Sequence, residues 1–224
     1  MNKSNVSVLN KRMDSVLATN KVLRNTYLLL GMTFLFSALT AYTSVAMAVR
    51  SINPLLFIFG AYGLMFLTNA LRNSPWGIVS VFAFTGFMGY ALGPILNAYI
   101  SHFSNGSQLI ATAFGGTGII FFALSGYVLT TRKDFSYLSG FLFVAVMVAF
   151  LAMIAGIFFQ TPVLQLAISA AFVLISSGSI LFQTSEIIHG GETNYISATV
   201  SLFVSIYNLF ISLLNLLGAF SGRE

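Results

Sequence analysis

From Thr26 onward the chain alternates long apolar runs with short polar breaks. Because a bilayer's hydrocarbon core is crossed by about 20 helical residues, cutting the runs at those breaks predicts seven transmembrane helices, over 26–49, 54–71, 76–100, 108–131, 137–159, 163–185 and 195–220. The breaks are Arg50 to Pro54, Arg72 to Pro75, Ser101 to Ser107, Arg132 to Asp134, Gln160 to Pro162 and Glu186 to Asn194. Each combines charge, Pro, Gly or Asn, which end helices and tolerate turns. The expected fold class is all-α: a single seven-helix membrane domain over 26–220, with an N-terminal tail (1–25) and a short C-terminal tail (221–224).

In the N-terminal tail, Val6, Leu9, Met13, Val16 and Leu17 recur at helical spacing beside Lys11 and Arg12. That pattern fits an interfacial helix drawn to anionic lipid; a disordered, solvated leader is the alternative and the reading adopted. Ala46-Met47-Ala48 has the form of a signal-peptidase site. The apolar run before it is far longer than a signal peptide's apolar core, so it reads as a retained first span.

Composition sharpens this picture: of 224 residues, 57% are hydrophobic and 7% charged, against about a quarter charged in soluble domains. The lipid bilayer is therefore the first partner. No cysteine is present, which excludes disulfides and thiolate chemistry. The formal charge is +5, but Lys3, Lys11, Arg12, Lys21 and Arg24 supply half of the ten basic residues. That is an orientation signal and not a nucleic-acid patch. With the N terminus inside, cytoplasmic segments also hold Arg72, Arg132 and Lys133, leaving only Arg50 and Arg223 on the opposite face. Lys and Arg are retained on the cytoplasmic side during insertion. The expected location is a bacterial inner membrane, with a cytoplasmic N terminus and a periplasmic C terminus.

Ionisable groups at membrane depth mark function, and here they are missing. The acids are Asp14, Asp134, Glu186, Glu192 and Glu224, and the histidines His102 and His189, all in tails, loops or span ends. An intramembrane protease needs a base beside its nucleophile, paired acids, or a metal motif such as HExxH. None stands at depth, so the chain is expected to be no enzyme and to hold no metal or cofactor.

Three features remain. Gly86, Gly89 and Gly93, followed by Pro94, and then Gly115, Gly116, Gly118 and Gly126, put small residues in the third and fourth spans. They suit close helix packing, with pore lining as the alternative, and Pro94 is a candidate kink. A polar cluster closes the sixth span and its loop: Gln183, Thr184, Ser185, Glu186, His189, Glu192 and Asn194. Gln183 and Glu186 share a helix face; the cluster reads either as a capped helix end with a turn at Gly190-Gly191 or as a site. In the seventh span Ser201, Ser205, Asn208, Ser212 and Asn215 draw a polar stripe, expected to face the bundle interior.

These residues carry a resemblance. Phe82-Ala83-Phe84-Thr85-Gly86 with Leu92-Gly93-Pro94, Gly116-Thr117 with Tyr127 to Arg132, and Ile180-Leu181-Phe182 leading to Asn194-Tyr195-Ile196 resemble the Bax inhibitor-one family of seven-span proteins. Lys21 to Tyr27 and His189 to Ile196 are similar to its bacterial YccA branch, and the likeness runs from about Lys21 to the end. It implies six helices surrounding the last. It also implies association with the FtsH protease and its HflK/HflC partners, restraining the proteolysis of membrane proteins. Calcium-leak members carry two acids, near the end of the sixth span and within the seventh; the matching positions here are Gln183 and Ser205, which do not ionise. The alternative function is a calcium or proton leak, with Glu186 as a substitute acid.

Overall fold

The computed structural model describes the backbone of residues 3–159 and 161–222, and side chains from Lys21 to Gly222 apart from 157 and 160. Among the described residues seven helices follow one another: α1 (Lys3–Ala46), α2 (Pro54–Leu71), α3 (Trp76–His102), α4 (Gly106–Thr131), α5 (Leu138–Phe158), α6 (Pro162–His189) and α7 (Tyr195–Ser221). All seven are long and apolar enough to cross a membrane, and each coincides with a predicted span. The protein is an all-α, multi-pass membrane protein.

Two boundaries differ from the sequence expectation by four residues or more. The leader is helical from Lys3 and continuous with the first span, because no proline and only Gly31 interrupts Lys3–Ala46. At 1.5 Å per residue its 44 residues span about 66 Å, twice the roughly 30 Å of hydrocarbon, so its N-terminal part projects beyond the bilayer. The side chains of the Val6 to Leu17 stripe lie outside the described residues, as do Arg223 and Glu224. The sixth helix runs on to His189, since Gln183 to Ile188 tolerate helix and the stop is Gly190, in the left-handed conformation at φ 79°.

Helix starts follow local chemistry. Asn53 and Thr161 each precede a proline at the first helical position, and their side-chain oxygens accept from Leu55 N (2.9 Å) and Leu164 N (3.4 Å).

The seventh helix is the axis of the bundle. It touches α1, α2, α3, α4 and α6, while α5 packs on the outer flank of α6. Its inward residues Leu202, Phe203, Leu209 and Leu214 are fully buried. The Phe203 ring lies 5.0 Å from that of Phe34 and 6.1 Å, edge-on, from that of Phe84.

Lipid tails solvate apolar helices as well as other helices do, so close fit decides which faces meet. The α3 glycines supply that fit against α1. A Cβ on Gly89 would overlap the Ser37 carbonyl and the Thr40 hydroxyl, one on Gly93 would overlap Ser44, and one on Gly86 would press into the Phe36 ring. The packing expectation does not extend to α4: nothing lies within 4 Å of a Cβ on Gly115, Gly118 or Gly126, and Gly116 would only graze Leu213 at 3.8 Å. A side chain at Gly115, Gly118 or Gly126 would meet open space. Pro94 sits within α3, which continues past it to His102.

Candidate functional site

Gln183 and Ser205, which the resemblance matches to an acid pair, stand together where α6 and α7 pack. Gln183 Nε2 donates to Ser205 Oγ at 3.0 Å; the hydroxyl lies 3.4 Å from Gln183 Oε1 and 3.1 Å from the Ser201 carbonyl one turn back. Ser205 is buried and Gln183 half-buried. Both partners are neutral, so the contact holds the two helices by hydrogen bonds and offers no proton to titrate. Beside it, Thr184 is fully buried, with its hydroxyl 3.4 Å from Ser125 Oγ of α4 and 3.5 Å from Tyr27 OH of α1. Four helices thus meet on neutral hydroxyl and amide groups.

One turn onward, Gly190 ends α6 and the Glu186 carbonyl accepts from Gly191 N (2.9 Å) and Glu192 N (3.1 Å). The Glu186 carboxylate folds against Gly191, where a Cβ would collide with it. It belongs to the turn and does not reach into the Gln183–Ser205 contact as a replacement acid would.

Two residues fasten the loops on this face. Ser185 Oγ, fully buried, accepts from Phe135 N at 2.9 Å. His189 places Nδ1 2.9 Å from the Ser185 carbonyl and Nε2 3.1 Å from the Arg132 carbonyl. The α4–α5 loop is thereby clamped to the end of α6. Within that loop the Ser136 backbone N–H donates to Asp134 Oδ1 at 2.8 Å and holds this exposed carboxyl below its ordinary range.

Asn194 does more than its place in the cluster suggested. Its Oδ1 caps α7 by accepting from Ile196 N (2.9 Å) and Ser197 N (3.2 Å). Its Nδ2 donates across to the Arg72 carbonyl (3.1 Å) and Asn73 Oδ1 (2.9 Å). Glu192 Oε1 accepts from the Asn194 backbone N–H at 2.7 Å. An asparagine directly before an apolar run is an N-cap signal that sequence reading could have used. The clamp by Ser185 and His189 had no such signal, because it joins residues 50 or more apart.

On α7 the polar stripe faces the interior only in its middle. Ser205 and Ser212 are buried and Asn208 is half-buried, whereas Ser201 and Asn215 are exposed. Asn215 Oδ1 accepts from Tyr99 OH at 3.0 Å, on the opposite side of the membrane domain from Asn194. Among the described residues no cluster of His, Cys, Asp or Glu is arranged to hold a metal ion.

A sequence model of the family described as "Inhibitor of apoptosis-promoting Bax1" (Bax1-I) matches residues 19–222. The chain is 58% identical over 210 residues to "Modulator of FtsH protease YccA" of Escherichia coli K12, covering 94% of each protein. It is also 58% identical over 203 residues to an uncharacterized protein of Pseudomonas aeruginosa, covering 91% of each. A Campylobacter jejuni protein shares 33% identity over 207 residues, covering 90% of this chain and 89% of the relative.

Proposed function

The chain belongs to the Bax1-I family, and from that premise we propose that it is a non-enzymatic regulator of the FtsH protease in the bacterial inner membrane. On this reading it binds FtsH, with its HflK/HflC partners, and restrains the degradation of other membrane proteins. The observation that carries the proposal is the 58% identity, over 94% of both chains, to a protein named for modulating FtsH. Orientation follows the basic residues: Arg24, Arg72, Arg132 and Lys133 lie at one end of the bundle and Arg50 at the other, so the first end is cytoplasmic.

The mechanism proposed is occupancy. The α1 extension projects on the cytoplasmic side and offers the protease a starting point. The seven spans behind it resist extraction, because pulling one into water exposes apolar surface and breaks the interhelical fit. FtsH engaged on so slow a substrate turns over others less. The neutral Gln183–Ser205 pair supports this reading over a leak, because a proton-controlled latch needs groups that titrate.

The test is reconstitution of FtsH in proteoliposomes with a second membrane substrate. Adding this protein should lengthen that substrate's half-life, and FtsH should co-purify with it from detergent. Unchanged degradation together with no association would overturn the proposal.

A further inference from the structure

The backbones of α1 and α4 stay apart, although both helices pack on α3 and α7. Between them lies a cleft of about 460 Å³. Ala38 and Tyr42 of α1 and Ala111 and Phe114 of α4 form its lips, all exposed on the outside of the bundle. Phe203 and Phe210 of α7 form its floor, both buried. Small residues, Ala38 and Ala41 on α1 and Ala111 on α4, line both of its walls.

We infer that this cleft is a lateral binding site for one acyl chain of a phospholipid from the outer leaflet. Its mouth opens sideways at hydrocarbon depth, its walls are almost wholly apolar, and it is too large to stay empty beside mobile hydrocarbon. An occupant has to pass the lips and lie along the groove between α1 and α4. A flexible chain fits, since it needs length and little width. The polar end is also provided for. Val45 lines the outer end of the cleft, and the segment after it is tied to α3 by Asn97 Nδ2, which donates to the Val49 carbonyl at 3.2 Å. That bond sets exposed Arg50 at the outer boundary, where a lipid phosphate lies when its chain occupies the cleft. The site is independent of the protease reading.

The full chain, purified in mild detergent, is examined by native mass spectrometry at activation energies that strip loosely held lipid. One phospholipid should stay bound to the parent and to Val148→Phe, a substitution on the lipid-facing side of α5. It should be lost from Ala41→Phe, which places a ring on the cleft wall, and from Ala111→Trp on the α4 wall, the second variant guarding against misfolding of the first. Arg50→Gln should weaken retention. A photo-crosslinking residue at position 111 should label phospholipid in native membranes. No retained lipid on the parent, equal retention in both cleft-filling variants, or labelling of a protein instead of lipid would overturn the assignment.

Discussion

Replacing Gly89 with alanine adds one methyl group where α3 meets α1, and the structure states what that methyl strikes. It overlaps the Ser37 backbone carbonyl, along with the Ser37 and Thr40 hydroxyls. A carbonyl within a helix cannot swing aside, and this one already accepts from Thr40 Oγ1 at 2.9 Å. The helices must therefore part by about 1 Å to restore ordinary contact near 3.5 Å, and a gap of that size forfeits a quarter to a half of each affected dispersion contact. Overpacking of this kind costs about 1–3 kcal/mol. For a chain of this length that corresponds to a melting temperature lower by roughly 2–12 °C. The matched control is Gly115→Ala, which meets nothing within 4 Å and gains helix propensity of up to about 1 kcal/mol, so it should lose nothing. Thermal unfolding of both variants in the same detergent reads the difference. If Gly89→Ala melts with the parent, or both variants shift equally, close approach of α1 and α3 is refuted.

Gly93→Leu, which drives a larger side chain into Ser44, should destabilise at least as much in the same assay. Asn194→Ala removes the α7 cap and the bridge to the α2–α3 loop and should cost about 1–2 kcal/mol; Asn194→Asp, which keeps the cap, should recover part of it. In liposomes carrying a calcium dye, the parent should show little flux and no change between about pH 6 and 8, whereas Gln183→Asp with Ser205→Asp should introduce pH dependence through a shared proton. Robust acid-sensitive flux in the parent would refute this and direct mutagenesis to Glu186 and His189. Deleting Asn2 to Ala18 should lengthen the protein's own half-life in cells with active FtsH while leaving association intact; an unchanged half-life would count against the α1 extension as the entry point.

The candidate site was legible in the sequence only in part. Gln183 and Ser205 came from resemblance to the family, and the structure adds that they are bonded to each other at 3.0 Å. Glu186 looked available as a substitute acid because three residues separate it from Gln183, but its carboxylate packs on Gly191. The role of His189 as a clamp on the Arg132 carbonyl depends on where a distant loop returns, and no local pattern announces that.

Sequence alone determined the number of spans, their approximate limits and the face that carries the basic residues. Each follows from transferring one segment between water and hydrocarbon, a free energy that a run of residues carries whatever its neighbours are. Only the tertiary structure decided which helices touch. Gly89 and Gly115 are the same residue at similar depth in adjacent spans, yet one is wedged against the Ser37 carbonyl and the other meets nothing. In lipid an apolar face gains little from being covered by another apolar helix, so hydrophobicity does not choose partners. Fit and hydrogen bonds choose them, and both exist only once two distant segments lie side by side.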